Sequence, residues 1–258
     1  MFEDVKYFII DMDGTFYLGD ELIPGAVDFI RALQEKGYDY RFFTNNSSHD
    51  EAECMDRLAR RGFPVEPGRI ILSSQIAIDY IRQYHPDEGV YLLGNDKLTG
   101  DCLKAGLRLT DDDPSIVLLG FDTTLDYRKI DRCANLISEP HIHYYATHPD
   151  VNCPLADGFM PDTGAMMELF AASTGRLPEL IFGKPSRMVT DFLCKTLNVT
   201  PGSLCFVGDR LETDIAIGRY GSKTALVYTG VTDERMYRRS RFEATLDVES
   251  LGALRQYL

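Results

Sequence analysis

The chain has 258 residues, and its 27 Lys and Arg residues against 40 Asp and Glu residues give a formal net charge of -13 at pH 7. A chain this acidic is unsuited to nonspecific binding of nucleic acid or of an anionic membrane, because both need a basic surface. With 44% hydrophobic and 26% charged residues, its composition is typical of a globular protein rather than a disordered or fibrous one.

Short apolar runs alternate with helical patterns along the chain, which predicts an α/β protein with a mainly parallel sheet. Pro24 and Gly37 mark the start and end of a helix, and Ser47 or Ser48 can cap a second helix. The apolar runs that predict core strands are residues 8–10, 40–43, 70–72, 204–207 and 225–228.

The middle of the chain repeats this alternation on its own. Residues 90–93, 116–119 and 142–146 predict strands, and the segments near 96–105 and 126–137 predict helices. We therefore expect a smaller α/β insert within the larger α/β protein.

The cysteines and several histidines carry no spacing that indicates a metal site. The six cysteines form no Cys-x-x-Cys pair, so we expect reduced thiols rather than a zinc site or a disulfide framework. We expect His141 and His143 to lie on one face of a strand, at the surface of the insert, rather than to bind zinc. No run approaches the roughly 20 apolar residues of a membrane helix, and no secretory signal is visible, so we expect a cytoplasmic protein.

Two carboxylates follow the first predicted strand, in the sequence Asp11-Met12-Asp13-Gly14-Thr15. Ligands of open parallel sheets bind at the carboxyl ends of the strands, so this pair lies where a site is expected. Residues 16–18 and 21–23 flank Gly19-Asp20 and predict a small hairpin over the two carboxylates. The alternative is a solvated Asp-Gly turn without a function.

Three further strand ends carry polar residues. Thr44-Asn45-Asn46 precedes a helix, where a hydroxyl group and free amides suit a phosphate oxygen, although helix capping explains the same residues. Lys184, in Gly183-Lys184-Pro185-Ser186, can neutralise a transferring phosphoryl group or simply be solvated. Gly208-Asp209 and Asp214 suggest a Mg²⁺ site, while a charge at a helix N-terminus also explains Asp214.

In this order the four segments resemble the motifs of the haloacid dehalogenase (HAD) superfamily of aspartate-dependent phosphotransferases. Segments 17–20, 23–26, 43–46, 183–186 and 208–215 are similar to subclass IIA, the NagD-like or p-nitrophenylphosphatase branch. The long segment between Thr44 and Lys184 resembles, in its position between the motifs, an inserted cap domain. The resemblance implies a Rossmann-like parallel-sheet core of residues 1–78 and 181–258, with residues 79–180 forming an α/β cap.

The resemblance also implies a Mg²⁺-dependent phosphatase that hydrolyses small phosphomonoesters, such as nucleotide or sugar phosphates, through an aspartyl-phosphate. It makes Asp11 the nucleophile and Asp13 the general acid and base. Mg²⁺ would be bound by the side chains of Asp11 and Asp209 and by the Asp13 carbonyl. The other implied roles are catalysis for Thr44 and Lys184, substrate binding for Thr44, Asn45, Asn46, Lys184 and Asp150, and support from Gly14, Thr15, Gly208 and Asp214.

Two cap positions depart from the family pattern, since His148 stands where Asn is commoner and Asp162 where a small residue is commoner. We expect the segment 147–164 to contact the leaving group. It contains His148, Asp150, Asn152 and Asp157, and the alternative for each of them is a place in a turn, since Asn, Asp, Pro and Gly dominate turns. The alternatives are a phosphomutase or other phosphotransferase on the same core, and a catalytically idle phosphate-binding interaction protein. Family analogy also implies a homodimer formed through the cap.

Overall fold

The computed structural model describes residues 1–155 and 158–258. The chain forms two compact units, the first made of residues 1–44, 51–71 and 184–258 and the second of residues 45–50 and 72–183. The cap expected from the sequence, residues 79–180, is shorter at both ends than the segment 72–183 of the second unit. The reason is that a helix follows directly on a strand at Ser73, so no polar linker marks the change of unit.

The secondary structure alternates as the apolar pattern predicts. The strands are β1 (Tyr7–Ile10), β2 (Tyr17–Leu18), β3 (Glu21–Leu22), β4 (Asp39–Thr44), β5 (Ile70–Leu72), β6 (Gly89–Leu93), β7 (Arg108–Leu109), β8 (Ile116–Leu119), β9 (His143–Ala146), β10 (Asn152–Leu155), β11 (Gly158–Pro161), β12 (Leu180–Ile181), β13 (Leu204–Gly208), β14 (Lys223–Val227) and β15 (Leu246–Val248). The helices are α1 (Ala26–Glu35), α2 (Glu51–Arg60), α3 (Ser73–Tyr84), α4 (Asp96–Lys104), α5 (Tyr127–Ser138), α6 (Thr163–Thr174), α7 (Arg187–Leu197), α8 (Glu234–Arg239) and α9 (Leu251–Leu254).

The main sheet has the strand order β15-β14-β13-β1-β4-β5. β1 pairs in parallel with β13 and β4, and β14 pairs in parallel with β13 and β15. Phe8, Ile9 and Ile10 of β1 are buried, as expected for a central strand covered on both faces of a parallel sheet. Because neighbouring parallel strands end at the same edge, the residues that follow β1, β4 and β13 are brought together.

The hairpin predicted after the first strand is confirmed as β2 and β3, which pair antiparallel. Gly19 opens its turn with a φ of 58°, a conformation that glycine adopts at little cost. The buried ring of Phe16 packs edge-to-face on Phe42, with ring centroids 4.7 Å apart, and lies 4.9 Å from the ring of Phe63. These aromatic contacts fix the start of the hairpin.

The second unit contains a parallel sheet with the strand order β12-β9-β8-β6-β7. Its core packs residues of β6, β8 and β9 against α5 and α6, with Val117, Tyr144 and Phe170 fully buried. β10 and β11 form an antiparallel pair ahead of α6. Together the two sheets confirm an α/β fold with a smaller α/β insert.

Two local expectations are wrong. α2 begins at Glu51, so neither Ser47 nor Ser48 caps it; instead the backbone N–H and hydroxyl group of Ser48 donate to Asn46 Oδ1, at 2.9 and 2.7 Å. This turn delays the start of the helix. His141 precedes β9, which begins at His143, and therefore does not share a strand face with it.

Among the described residues, no helix has both the length and the apolar character that a bilayer span requires.

Candidate active site

The ends of β1 and β13 bring two aspartates to one edge of the main sheet. Ile10 lies opposite Val207 in the pairing of these strands, and the Asp11 N–H donates to the Val207 carbonyl at 2.8 Å. Asp209 directly follows Gly208, the last residue of β13. The parallel pairing therefore places Asp11 and Asp209 beside each other although they are far apart in sequence.

Lys184 joins this pair to a third carboxylate. Its Nζ donates to Oδ1 of Asp11 and to Oδ1 of Asp214, each at 2.6 Å, and to the Phe43 carbonyl at 3.5 Å. The side chains of Lys184 and Asp214 are 3% and 2% exposed, so both charges are shielded from water. Asp214 lies in a π-helical turn, Leu211–Ile215, and its Oδ2 accepts the Arg210 N–H at 3.1 Å.

The electrostatics of this cluster show a shortage of positive charge. Burial raises the pKa of Asp11 well above its usual range, and the attraction of Lys184 offsets this only in part. Burial also raises the pKa of Asp209 to about 6, and the neighbouring Asp214 charge adds to the effect. Burial would lower the pKa of Lys184, but Asp11 and Asp214 outweigh it and raise that pKa.

The donor atoms and charge of the cluster fit a divalent cation. One carboxylate oxygen from each of Asp11, Asp209 and Asp214 lies within 4.8 Å of the other two. Carboxylate oxygens are the ligands that hard divalent cations prefer. Lys184 contacts Oδ1 of both Asp11 and Asp214, so a cation bound in this cluster would share these carboxylates with the ammonium group.

Glycines allow the backbone to approach these carboxylates closely. A Cβ atom at Gly208 would lie 2.1 Å from Cγ of Asp214, and one at Gly230 would lie 2.0 Å from Oδ2 of Asp209. Gly14 has a φ of 81°, and a Cβ atom added to it would lie 2.7 Å from Oδ2 of Asp209. The pattern of the sequence indicated Gly14 and Gly208 but not Gly230, whose role depends on the loop after β14.

Hydrogen bonds also hold Asp209 in place. The Val231 N–H donates to Oδ2 of Asp209 at 2.6 Å, and Thr15 Oγ1 donates to Oδ1 at 3.4 Å. Thr15 is fully buried, and the Thr229 hydroxyl donates to the Gly14 carbonyl at 2.6 Å. The Asp-Gly-Thr segment is therefore tied to the loop after β14 and supports the carboxylate from two sides.

Asp13 has different surroundings from Asp11. Its Oδ2 accepts the hydroxyl group of Tyr17 at 3.0 Å, and its Oδ1 lies 3.8 Å from Nη2 of Arg57. The side chain of Asp13 is 44% exposed, whereas that of Asp11 is 15% exposed. The two carboxylates thus differ in burial and in partners.

The residues after β4 are divided between the units. Thr44 ends β4 in the first unit and is 5% exposed, next to Phe43, whose carbonyl contacts Lys184. Asn45 and Asn46 belong to the second unit, where the Asn45 carbonyl accepts the Ser73 hydroxyl at 2.7 Å. Their role in binding a phosphate oxygen stays a prediction.

The segment after β9 contains a buried pair that the sequence did not reveal. Nε2 of His148 lies 2.8 Å from Oδ1 of Asp162, and both side chains are buried. Nδ1 of His148 lies 2.9 Å from Oγ1 of Thr147, which lies 3.0 Å from Oγ of Ser47. The two departures from the family pattern, His148 and Asp162, are therefore partners.

Asp150, predicted to bind substrate, also lies in the second unit. Its carbonyl accepts the Gly164 N–H at 2.7 Å, which holds the chain against the start of α6. One oxygen of its carboxylate lies within 4.8 Å of ligand atoms of His148 and Asp162. Asp157, expected in the same segment, lies outside the described residues.

Two family models match the chain. Residues 8–108 match the family described as haloacid dehalogenase-like hydrolase, and residues 181–254 match a model described as HAD-hydrolase-like. An acid sugar phosphatase from Staphylococcus haemolyticus is 33% identical over 252 residues, which cover 97% of this chain and 95% of that protein. A dihydroxyacetone phosphatase from Corynebacterium glutamicum is 31% identical over 248 residues, covering 96% and 90%.

Solved structures agree with these matches. A 4-nitrophenylphosphatase from Thermotoga maritima superposes with a TM-score of 0.94 at 36% identity, covering 98% of this chain and 97% of that one. NagD from E. coli superposes with a TM-score of 0.88 at 26% identity, covering 96% and 97%. The chain therefore belongs to the haloacid dehalogenase-like hydrolase family, and it is an enzyme of the branch that includes NagD and the p-nitrophenylphosphatases.

Proposed function

We propose that this protein is a Mg²⁺-dependent phosphatase of small phosphomonoesters, with an aspartyl-phosphate intermediate on Asp11. The observation that carries the proposal is the pair of 2.6 Å contacts from Lys184 Nζ to Asp11 and Asp214, beside Asp209. A buried carboxylate with a fixed cation can approach a phosphate dianion that would otherwise repel it. The first unit then acts as the catalytic core and the second as the cap.

In the first half of the reaction an oxygen of Asp11 attacks phosphorus and forms an O–P bond while the bond to the leaving oxygen breaks. Asp13 gives its proton to that leaving oxygen, and the Tyr17 hydroxyl and Arg57 orient its carboxylate. In the second half, water attacks phosphorus and gives a proton to Asp13. The Asp11–phosphate bond then breaks and releases inorganic phosphate.

The remaining groups bind and orient the phosphoryl group. Lys184 neutralises charge between Asp11 and the phosphate, and Asp214 keeps its ammonium group in position. The Thr44 hydroxyl donates to a phosphate oxygen. Asp11, Asp209 and the Asp13 carbonyl would hold a Mg²⁺ ion, which would neutralise charge on the phosphoryl oxygens.

For the substrate class we propose phosphorylated sugars and trioses ahead of nucleotides. The relatives named acid sugar phosphatase and dihydroxyacetone phosphatase support this choice, because they align over almost the whole chain, including the second unit. A panel of triose, pentose and hexose phosphates and nucleoside monophosphates, assayed by phosphate release, tests it. Preference for the nucleotides would overturn the order.

The chemistry is tested with p-nitrophenyl phosphate, assayed in Mg²⁺ and in EDTA. We expect turnover that depends on Mg²⁺ and a loss of more than a thousandfold in kcat for Asp11→Asn, since the nucleophile is removed. The matched control is Asp56→Asn, whose exposed side chain on α2 pairs with Arg60. Rapid acid quenching followed by mass spectrometry should find one phosphoryl group on the peptide that contains Asp11.

Full activity of Asp11→Asn, or wild-type turnover in EDTA equal to that in Mg²⁺, would refute this mechanism. Turnover in ¹⁸O-labelled water separates hydrolysis from the mutase alternative, because only hydrolysis places the label in released phosphate. An idle scaffold would show no turnover with any substrate of the panel.

A further inference from the structure

Three potential metal ligands meet at the amino-terminal edge of the second unit's sheet. His85 follows α3, Glu88 precedes β6 and His143 opens β9. Nδ1 of His85 lies 2.9 Å from Oε1 of Glu88, and the two imidazole centroids are 5.1 Å apart. One ligand atom from each of the three residues lies within 4.8 Å of the other two.

Each imidazole is held by a further group through its other nitrogen. The hydroxyl group of Tyr145 lies 3.1 Å from Nε2 of His85, and Oε2 of Glu179 lies 2.9 Å from Nδ1 of His143. Arg176 in turn donates to Oε1 of Glu179 at 2.9 Å. Metal-binding histidines typically have such a partner on the second nitrogen, which fixes the tautomer and the direction of the ring.

These partners define which nitrogens can bind a metal. In the metal-bound form Nδ1 of His143 and Nε2 of His85 carry the protons, and the lone pairs of Nε2 of His143 and Nδ1 of His85 bind the metal. His85, which donates from Nδ1 to Glu88 without the metal, therefore changes its tautomer when the metal binds. The ring of His143 also stacks on Tyr145, with centroids 5.7 Å apart and an angle of 21° between the planes. The rings are therefore oriented by contacts other than the one between His85 and Glu88.

The distances suit a first-row transition metal after small side-chain rotations. Zinc binds nitrogen and oxygen at about 2.1 Å, so tetrahedral ligands lie about 3.4 Å apart. The side chains of Glu88 and His143 are 38% and 44% exposed, so each can rotate inward without repacking a core. Two imidazoles and one carboxylate favour Zn²⁺ over Mg²⁺, which prefers oxygen ligands.

Against the expectation from the sequence that His143 does not bind zinc, we propose that His85, Glu88 and His143 form a zinc-binding site, with water at the fourth position. When the metal binds, the hydrogen bond between Glu88 and His85 is lost, and both side chains bind the metal ion instead. The metal ties the end of α3 to the start of β9 and stabilises the second unit. The proposal is independent of the proposed phosphatase activity, because none of these residues belongs to the acidic cluster.

The test is equilibrium dialysis of tag-free protein, stripped with EDTA, against Zn²⁺. The protein used carries Asp209→Asn, which removes one carboxylate of the acidic cluster and so weakens zinc binding there. We expect one zinc per chain in this background, and loss of that zinc in His143→Ala, while the exposed control His141→Ala retains it. Glu179→Gln should weaken binding about tenfold or more, as removal of an outer partner typically does.

A second measurement, thermal unfolding, covers variants that fold poorly. At a hundredfold excess over Kd, Zn²⁺ should raise the Tm of the Asp209→Asn protein by about 5 °C or more, and Mg²⁺ should not. Glu88→Gln, which keeps both rings, should lose most of this shift. Zinc binding unchanged by His143→Ala and by Glu88→Gln would overturn the proposal, as would the absence of saturable one-to-one binding.

Discussion

Lys184→Met removes the ammonium group that contacts Asp11 and Asp214 while nearly keeping the length of the side chain. At 2.6 Å, and with an effective dielectric constant near 20, each contact corresponds to about 6 kcal/mol of Coulomb attraction before desolvation is subtracted. Breaking a buried ion pair typically costs about 3 to 5 kcal/mol of stability once desolvation is included. We expect a loss in this range, because the variant leaves the buried Asp214 and the 15% exposed Asp11 without their cation.

The same variant should lower kcat. Losing one preorganised electrostatic contact typically costs about 3 to 4 kcal/mol in the barrier, so we expect kcat for p-nitrophenyl phosphate to fall by about 10² to 10³. The free energy of unfolding is measured by urea denaturation in EDTA and again in Mg²⁺. The loss of stability should be smaller in Mg²⁺, since a bound cation neutralises part of the uncompensated charge.

Lys104→Met is the matched control for Lys184→Met. Lys104 pairs with Asp101 at 3.4 Å, but its side chain is 74% exposed, so its removal should change stability by less than about 0.5 kcal/mol. Equal stabilities for the Lys184 and Lys104 variants would refute the argument that the ammonium group holds the acidic cluster together.

Gly208→Ala should destabilise the fold by about 1 to 3 kcal/mol in urea denaturation, because the added Cβ would lie 2.1 Å from Cγ of Asp214; a wild-type midpoint would contradict this. His148→Ala should cost about 3 to 5 kcal/mol, because the buried carboxylate of Asp162 loses its imidazole partner and keeps the Thr163 N–H. Adding Asp162→Asn, which removes the charge and can still cap α6, should restore part of the loss, so additive losses in a double-mutant cycle would exclude coupling. For Asp39, burial would raise the pKa, but hydrogen bonds from neighbouring arginines and an N–H outweigh it and lower the pKa. Its carboxylate therefore stabilises the fold above about pH 4, so Asp39→Asn should be less stable than wild type at pH 7. As the pH falls below about 4, the stability of wild type should approach that of the variant. A difference in stability that does not change with pH would argue against this role of the Asp39 charge.

Much of the catalytic edge could be predicted from local pattern. Apolar runs short enough to be buried strands, followed by Asp11 and by Asp209, indicate where a parallel sheet presents its carboxyl ends. The strand order then brings the two aspartates together, since β1 and β13 are neighbours. The prediction succeeds because strand periodicity and strand ends are local properties of the chain.

Helix starts were harder to predict. A serine before an apolar run is a common cap, yet the side chain of Asn46 binds Ser48 and moves the start of α2 to Glu51. Two local hydrogen-bonding patterns compete here, and sequence alone does not rank them.

The fold class and the aspartates that follow β1 and β13 were thus determined by the sequence itself, through hydrophobic periodicity and strand ends. Only the tertiary structure decided that His148 is the partner of Asp162, and that His85 and Glu88 meet His143. Those contacts depend on the paths of loops and on which strands become neighbours. Long-range packing sets both, and no short segment of sequence encodes them.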